Sequence, residues 1–129
     1  MTEVEHTDEF GDWWQTLNES VQAAIGAKVK LLETVGPGLG RPHADTLRGS
    51  RHSNMKELRV QCKGDPYRIF YCFDPRRCAI LLIGGNKAGD NDWMERFLPI
   101  ADQLYDVHIA TLIAEGLLDS HGQVILKPK

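Results

Sequence analysis

Apolar positions along the 129-residue chain follow two different periods. In the N-terminal part they recur at three- and four-residue steps: Phe10, Trp13, Trp14 and Leu17, then Val21, Ala24, Ile25, Val29 and Leu32. That is the spacing of amphipathic helices. Thr7 or Asp8 can cap the first helix and Asn18 the second, where Glu19 suits the positive helix end. The second helix should stop near Val35, because GPGLGRP, residues 36 to 42, is dense in helix breakers. A short strand over residues 3 to 6 precedes the pair, and the two helices predict an αα-hairpin.

Residues 36 to 55 read as a loop rich in Gly, His, Arg and Ser. Then β-rich runs take over, at Lys56 to Cys62, Tyr67 to Phe73, and Cys78 to about Lys87. KGDP and DPRR join them with turn-compatible residues, so both connections read as tight hairpins. A helix reopens near Asp90 to Trp93. Pro99 should kink it or open a second segment bearing Ala101, Leu104, Tyr105, His108 and Leu112. Residues 115 to 129 read as a loosely held tail with a short strand at Val124 to Leu126. The pattern predicts one α+β domain over residues 1 to 129: a helical hairpin on a small, mostly antiparallel sheet, followed by a C-terminal helix.

With four-residue loops at both hairpins, Gln61 lies opposite Arg68, Arg59 opposite Phe70, Arg68 opposite Ile83 and Phe70 opposite Leu81. Side chains alternate between faces. One face then collects Glu57, Arg59, Gln61, Arg68, Phe70, Cys72, Leu81 and Ile83, and Lys87 if the third strand runs on unbroken. The other collects Leu58, Val60, Tyr67, Ile69, Tyr71, Phe73, Ile80 and Leu82, an apolar set for the helical hairpin to cover. Arg59, Arg68 and Lys87 therefore share the face away from that layer. Either they pair with Glu57 and nearby carboxylates as surface salt bridges, or they mark a site for an anion.

The charge distribution sharpens this choice. The net charge is −3, yet residues 41 to 87 carry ten Lys/Arg against four Asp/Glu, and both flanks are acidic. A basic middle third suits an anionic partner. Three cysteines, Cys62, Cys72 and Cys78, have no metal-ligand spacing and read as buried thiols. His43, His108 and His121 have no partners at zinc spacing. The acidic, polar start MTEVEHTDEF lacks the form of a signal peptide, and no run of about 18 apolar residues occurs. A cytoplasmic protein with no membrane association is expected.

The element order and the stretches LRGSRHSNMKELRV, GDPYRIFYCFDP and AILLIGGNKAGDNDW together resemble the RelE/ParE superfamily of toxin–antitoxin toxins, specifically its HigB-like, phage Gp49-like branch. KELR at 56 to 59, YRIFY at 67 to 71 and the lysine at 87 are the most specific parts. The resemblance implies a RelE-like fold and an endoribonuclease that cleaves messenger RNA, on the ribosome, and is neutralised by a cognate antitoxin. Its chemistry is a metal-free attack of the ribose 2′-OH on the adjacent phosphate, so no cofactor is expected. By motif, Arg59, Arg68 and Lys87 become the catalytic phosphate-binding groups, and His52, Lys56, Arg48 and Arg51 the RNA-binding or positioning ones. A ParE-like gyrase inhibitor and a catalytically degenerate protein-binding module share the same fold and stand as alternatives.

Overall fold

The computed structural model describes residues 1–125. Its element order is β1 (Val4–His6), α1 (Asp8–Gln15), α2 (Glu19–Val35), β2 (Ala44–Thr46), β3 (Lys56–Cys62), β4 (Asp65–Phe73), β5 (Ala79–Asn86) and α3 (Trp93–Ala114). Thr7 caps α1 by accepting from the Phe10 N–H at 3.0 Å, and Asn18 caps α2 through the Val21 N–H, also at 3.0 Å. Five strands form one sheet in the order β1-β5-β4-β3-β2, antiparallel except for β1 beside β5. The expected strand at residues 3 to 6 is thus present. The 36-to-55 segment is not all loop: β2 lies inside it and pairs with β3. A three-residue strand carries too little alternation to be read from the sequence.

The meander differs from the expected register in a way that preserves the decisive faces. Lys63 and Gly64, at φ 52° and 86°, close the first hairpin as a two-residue turn, so Cys62 pairs with Asp65 and Arg59 with Arg68. Left-handed backbone at both positions is the requirement of a type I′ turn. A slip of two residues keeps every side chain on its predicted face. At the second hairpin the loop is three residues, with Asp74 N–H bonded to Cys78 O at 2.9 Å and Arg77 at φ 69°. That odd count reverses the faces, and a bulge reverses them back: Phe70 faces Ile83 while Tyr71 faces Leu81, leaving Leu82 extra. Leu81 therefore joins the helical-hairpin side with Leu58, Ile69 and Tyr71, whereas Ile80 and Leu82 join Phe70 and Cys72 on the other.

Both sheet faces are covered. α1 and α2 bring Phe10, Val21, Ile25 and Leu32 onto one, and α3 brings Trp93, Ala101 and Tyr105 onto the other. Pro99 lies inside α3 and opens no separate segment. Pro99 leaves the Glu95 carbonyl without its helical donor, and Phe97 on one side of Pro99 and Ala101 on the other pack into the same core. Beyond α3 the chain folds back at Gly116. Leu118 bridges Val124 and is 1% exposed, so this part is tied down; Leu126 lies outside the described residues.

Gly84 and Gly85 sit between the layers. A Cβ on Gly84 would stand under 3.0 Å from the Trp13 ring, and one on Gly85 equally close to Trp93. Gly84→Ala or Gly85→Ala should therefore destabilise the fold by about 1–3 kcal/mol through overpacking, read as a lowered urea midpoint together with altered tryptophan fluorescence.

A buried carboxylate pins α3 to the second hairpin. Asp74 accepts from Arg76 Nη2 at 2.8 Å, from His108 Nε2 at 2.9 Å and from the Arg76 N–H at 2.8 Å. Burial pushes its pKa up, but the His108 and Arg76 hydrogen bonds outweigh that and hold it below the ordinary 3.8. With the folded value lower than the unfolded one, Asp74 stabilises the fold above the ordinary carboxylate range, and this is lost as pH falls through the folded value. Asp74→Asn should cost about 3 kcal/mol at neutral pH and flatten the acid limb of stability measured by denaturant titration across pH.

Candidate functional site

The two-residue turn places Arg59 directly opposite Arg68 on adjacent strands. Like charges so placed repel. Arg59 is neutralised locally: its Nε donates to Glu57 Oε1 at 2.7 Å, and its Nη2 lies 3.5 Å from Asp45 Oδ2. Glu57 is itself only 5% exposed. Arg68 has no such complement. Nη1 donates to the Tyr67 carbonyl at 3.0 Å, Nε is buried with no partner, and among the described residues no carboxylate forms an ion pair with it. Burial pulls its pKa down, Glu57 opposes this, and Arg59 reinforces it. A desolvated guanidinium without an anion is costly, and an arriving oxyanion would relieve that cost.

Lys87 belongs to the same face. Its N–H donates to the Pro66 carbonyl at 2.9 Å, which continues the β4–β5 ladder one residue past β5, and two steps earlier Gly85 pairs with Arg68. Its ammonium has no carboxylate partner among the described residues.

The remaining sequence-predicted residues go elsewhere. Lys56 pairs with Tyr71, on the opposite face, and its Nζ donates to Thr46 Oγ1 at 3.2 Å. Arg48 is exposed. Arg51 and His52 turn toward α3: Arg51 Nη2 lies 2.6 Å and His52 Nε2 2.8 Å from the Asp106 carboxylate. Asp102 accepts from the Ser50 hydroxyl and from the Arg51 N–H. These contacts moor the loop before β3 to α3. Lys28, not singled out from sequence, and His43, weighed there only as a metal ligand, line a cavity with the arginines instead. Lys28 Nζ lies 3.0 Å from His43 Nδ1, and the cavity has a volume of about 560 Å³. Only the tertiary fold brings α2 and the segment before β2 to this place, so no local pattern announces them.

At the other end of β5, Glu3, Glu5 and Cys78 offer three ligand atoms within 4.8 Å of one another, a grouping without sequence spacing to reveal it. Glu5 is paired with Arg76 at 2.8 Å, and burial pushes the Cys78 thiol up to about 11. The group is thus held in a local ion pair and a protonated thiol, a weak donor set for a metal.

The family model described as phage-derived protein Gp49-like matches residues 12–106, most of the sheet and all of α2 included. Two relatives come from Mycobacterium tuberculosis. One, named "Putative toxin HigB2", is 43% identical over 100 residues, which is 76% of this chain and 50% of the relative. The other, "Putative toxin HigB3", is 47% identical over 92 residues, 70% of this chain and 79% of the relative. The chain thus spans half the length of the first.

Tyr71 separates packing from chemistry. It is fully buried on the helical-hairpin side, its hydroxyl has no partner, and burial raises its pKa to about 12. Removing an unsatisfied buried hydroxyl relieves a desolvation cost. Tyr71→Phe should hold or raise the melting temperature and leave every activity of the arginine face intact; a melting scan beside the growth assay described next measures both.

Proposed function

The chain belongs to the phage-derived Gp49-like family, the HigB-like branch of the RelE/ParE superfamily, and from that premise we propose that it is the toxin of a type II toxin–antitoxin pair. In this reading it is an endoribonuclease that cleaves messenger RNA on the ribosome and is held silent by a cognate antitoxin. The observation that carries the reading is Arg68, a partly desolvated cation with an unpartnered Nε beside a second arginine. Cleavage would proceed by attack of a ribose 2′-oxygen on the neighbouring phosphorus, with the 5′-oxygen leaving as the new bond forms. Arg68 and Arg59 would stabilise charge on the phosphate oxygens, and Lys87 would join them from the end of β5. The 2′-hydroxyl requirement gives a physical reason for RNA over DNA. No helix among the described residues is long and apolar enough to cross a membrane.

Expression of the wild-type chain without a partner should arrest growth and produce new 5′ ends inside translated messages. Arg68→Ala should lower cleavage about a hundredfold while still folding, because it removes a cation from a face and leaves no core cavity. Lys87→Ala should act in the same direction and less severely. Growth curves, message end mapping and melting temperatures for each variant measure this. Arrest with intact messages and inhibited gyrase would point to the ParE-like activity instead. Unimpeded growth at high soluble expression would point to a protein-binding module.

A further inference from the structure

The outer edge of β3 is only partly covered. β2 pairs with Lys56, Glu57 and Leu58, the His43 carbonyl takes the Arg59 N–H at 2.8 Å, and beyond that point no strand among the described residues continues alongside. The cavity of about 560 Å³ opens at this edge, between α2 on one side of the sheet and the two arginines on the other. Lys28, His43, Arg59 and Arg68 line it, and none of its lining residues is acidic.

Lys28 is half-buried, although a lysine on a helix flank can extend into water. Its ammonium meets a neutral acceptor, His43 Nδ1. An ammonium has only donors, so Nδ1 must accept and the ring proton must sit on Nε2. In that tautomer His43 presents its Nε2–H as a donor. The pair offers the remaining ammonium N–H groups and the Nε2–H at a cavity that Arg59 and Arg68 also line. Converging donors with no carboxylate among them suit a phosphate oxygen.

We propose that Lys28 and His43 form a second phosphate subsite, which takes the RNA backbone next to the phosphate held by Arg59 and Arg68. This rests on the RNA reading above and extends it: the strand crosses the open edge of β3, and the protein holds more than the phosphate that reacts. Lys28 and His43 are positioning residues, and neither touches the reacting atoms.

The test is binding of a labelled, uncleavable 2′-O-methyl single-stranded RNA, followed by fluorescence anisotropy at several salt concentrations. Lys28→Ala should weaken binding about fivefold to tenfold and reduce the slope of log affinity against log salt by about one, the signature of a lost phosphate contact. Lys28→Arg should restore most of both. His43→Ala should weaken binding at neutral pH with little change in slope, since it removes a neutral donor. Melting temperatures close to wild type would place these effects at the surface. If Lys28→Ala and His43→Ala bind as wild type while Arg68→Ala is weakened, the subsite is wrong and the RNA reading stands. If wild type binds no RNA, both fail. If Lys28→Ala spares RNA and instead weakens binding of polyglutamate, the pocket receives an acidic protein segment and the proposal is overturned.

Discussion

Two indole rings pressed against one strand from opposite sides hold this protein together. Trp13 from α1 and Trp93 from α3 occupy the space that side chains at Gly84 and Gly85 would fill, and Trp93 continues as a stack onto Phe70 and Phe97. Each helical layer is thereby referenced to the same two residues of β5. The constraint reaches the candidate site directly, because Gly85 is the partner of Arg68 and Lys87 follows it two residues later, just past the end of β5. A shift of α3 along the sheet would carry the aromatic stack with it and change the cover over Phe70, two residues along β4 from Arg68.

The electrostatics divide in two. Four of the ten cations of the basic middle third are paired locally: Arg41 and Arg59 with Asp45 and Glu57, Arg76 with Asp74 and Glu5, Arg51 with Asp106. The acids of α3 that balance the sequence on paper are thus structural groups, mooring the loop before β3. Among the cations left without an ion pair in the described residues, Arg68 stands apart because its Nε is also buried without a hydrogen-bond partner. A chain with a net charge of −3 can therefore present a cationic site, because the excess is set by pairing geometry and not by totals.

The fold was largely legible because its signals are local. Helix caps at Thr7 and Asn18, the breaker-rich run after Val35 and the alternation from Lys56 onward each need only a few neighbouring residues. The register was less so. KGDP reads equally as a four-residue loop, and only the left-handed backbone at Lys63 and Gly64 selects the shorter turn. The arginine face survived that difference because the slip was even, while Leu81 changed sides because a three-residue loop and a bulge each shift parity by one. Of the residues assigned from motif, Arg59 and Arg68 are cross-strand partners and Lys87 follows two residues after Gly85, the other partner of Arg68, whereas Lys56 lies across the sheet and Arg51 and His52 turn to α3. Side-chain pairing between distant elements decides that, and no spacing encodes it. The pairing of Lys28 with His43 was invisible for the same reason.

The first strand of the chain is also the last to find its place. β1 hydrogen-bonds to β5, and the Thr7 hydroxyl that caps α1 donates to the Leu82 carbonyl, 75 residues further on. During synthesis α1 and α2 can form early and α2 can meet β3, but the strand that α1 packs over does not exist until β5 has been made. Closure of so long a loop is slow compared with hairpin formation. The arginines of β3 and β4 thus meet before the strand that carries the chain to Lys87 arrives, and the cationic face is complete only when more than half of the chain is already out. The nascent chain therefore lacks the complete cationic face for most of its own translation.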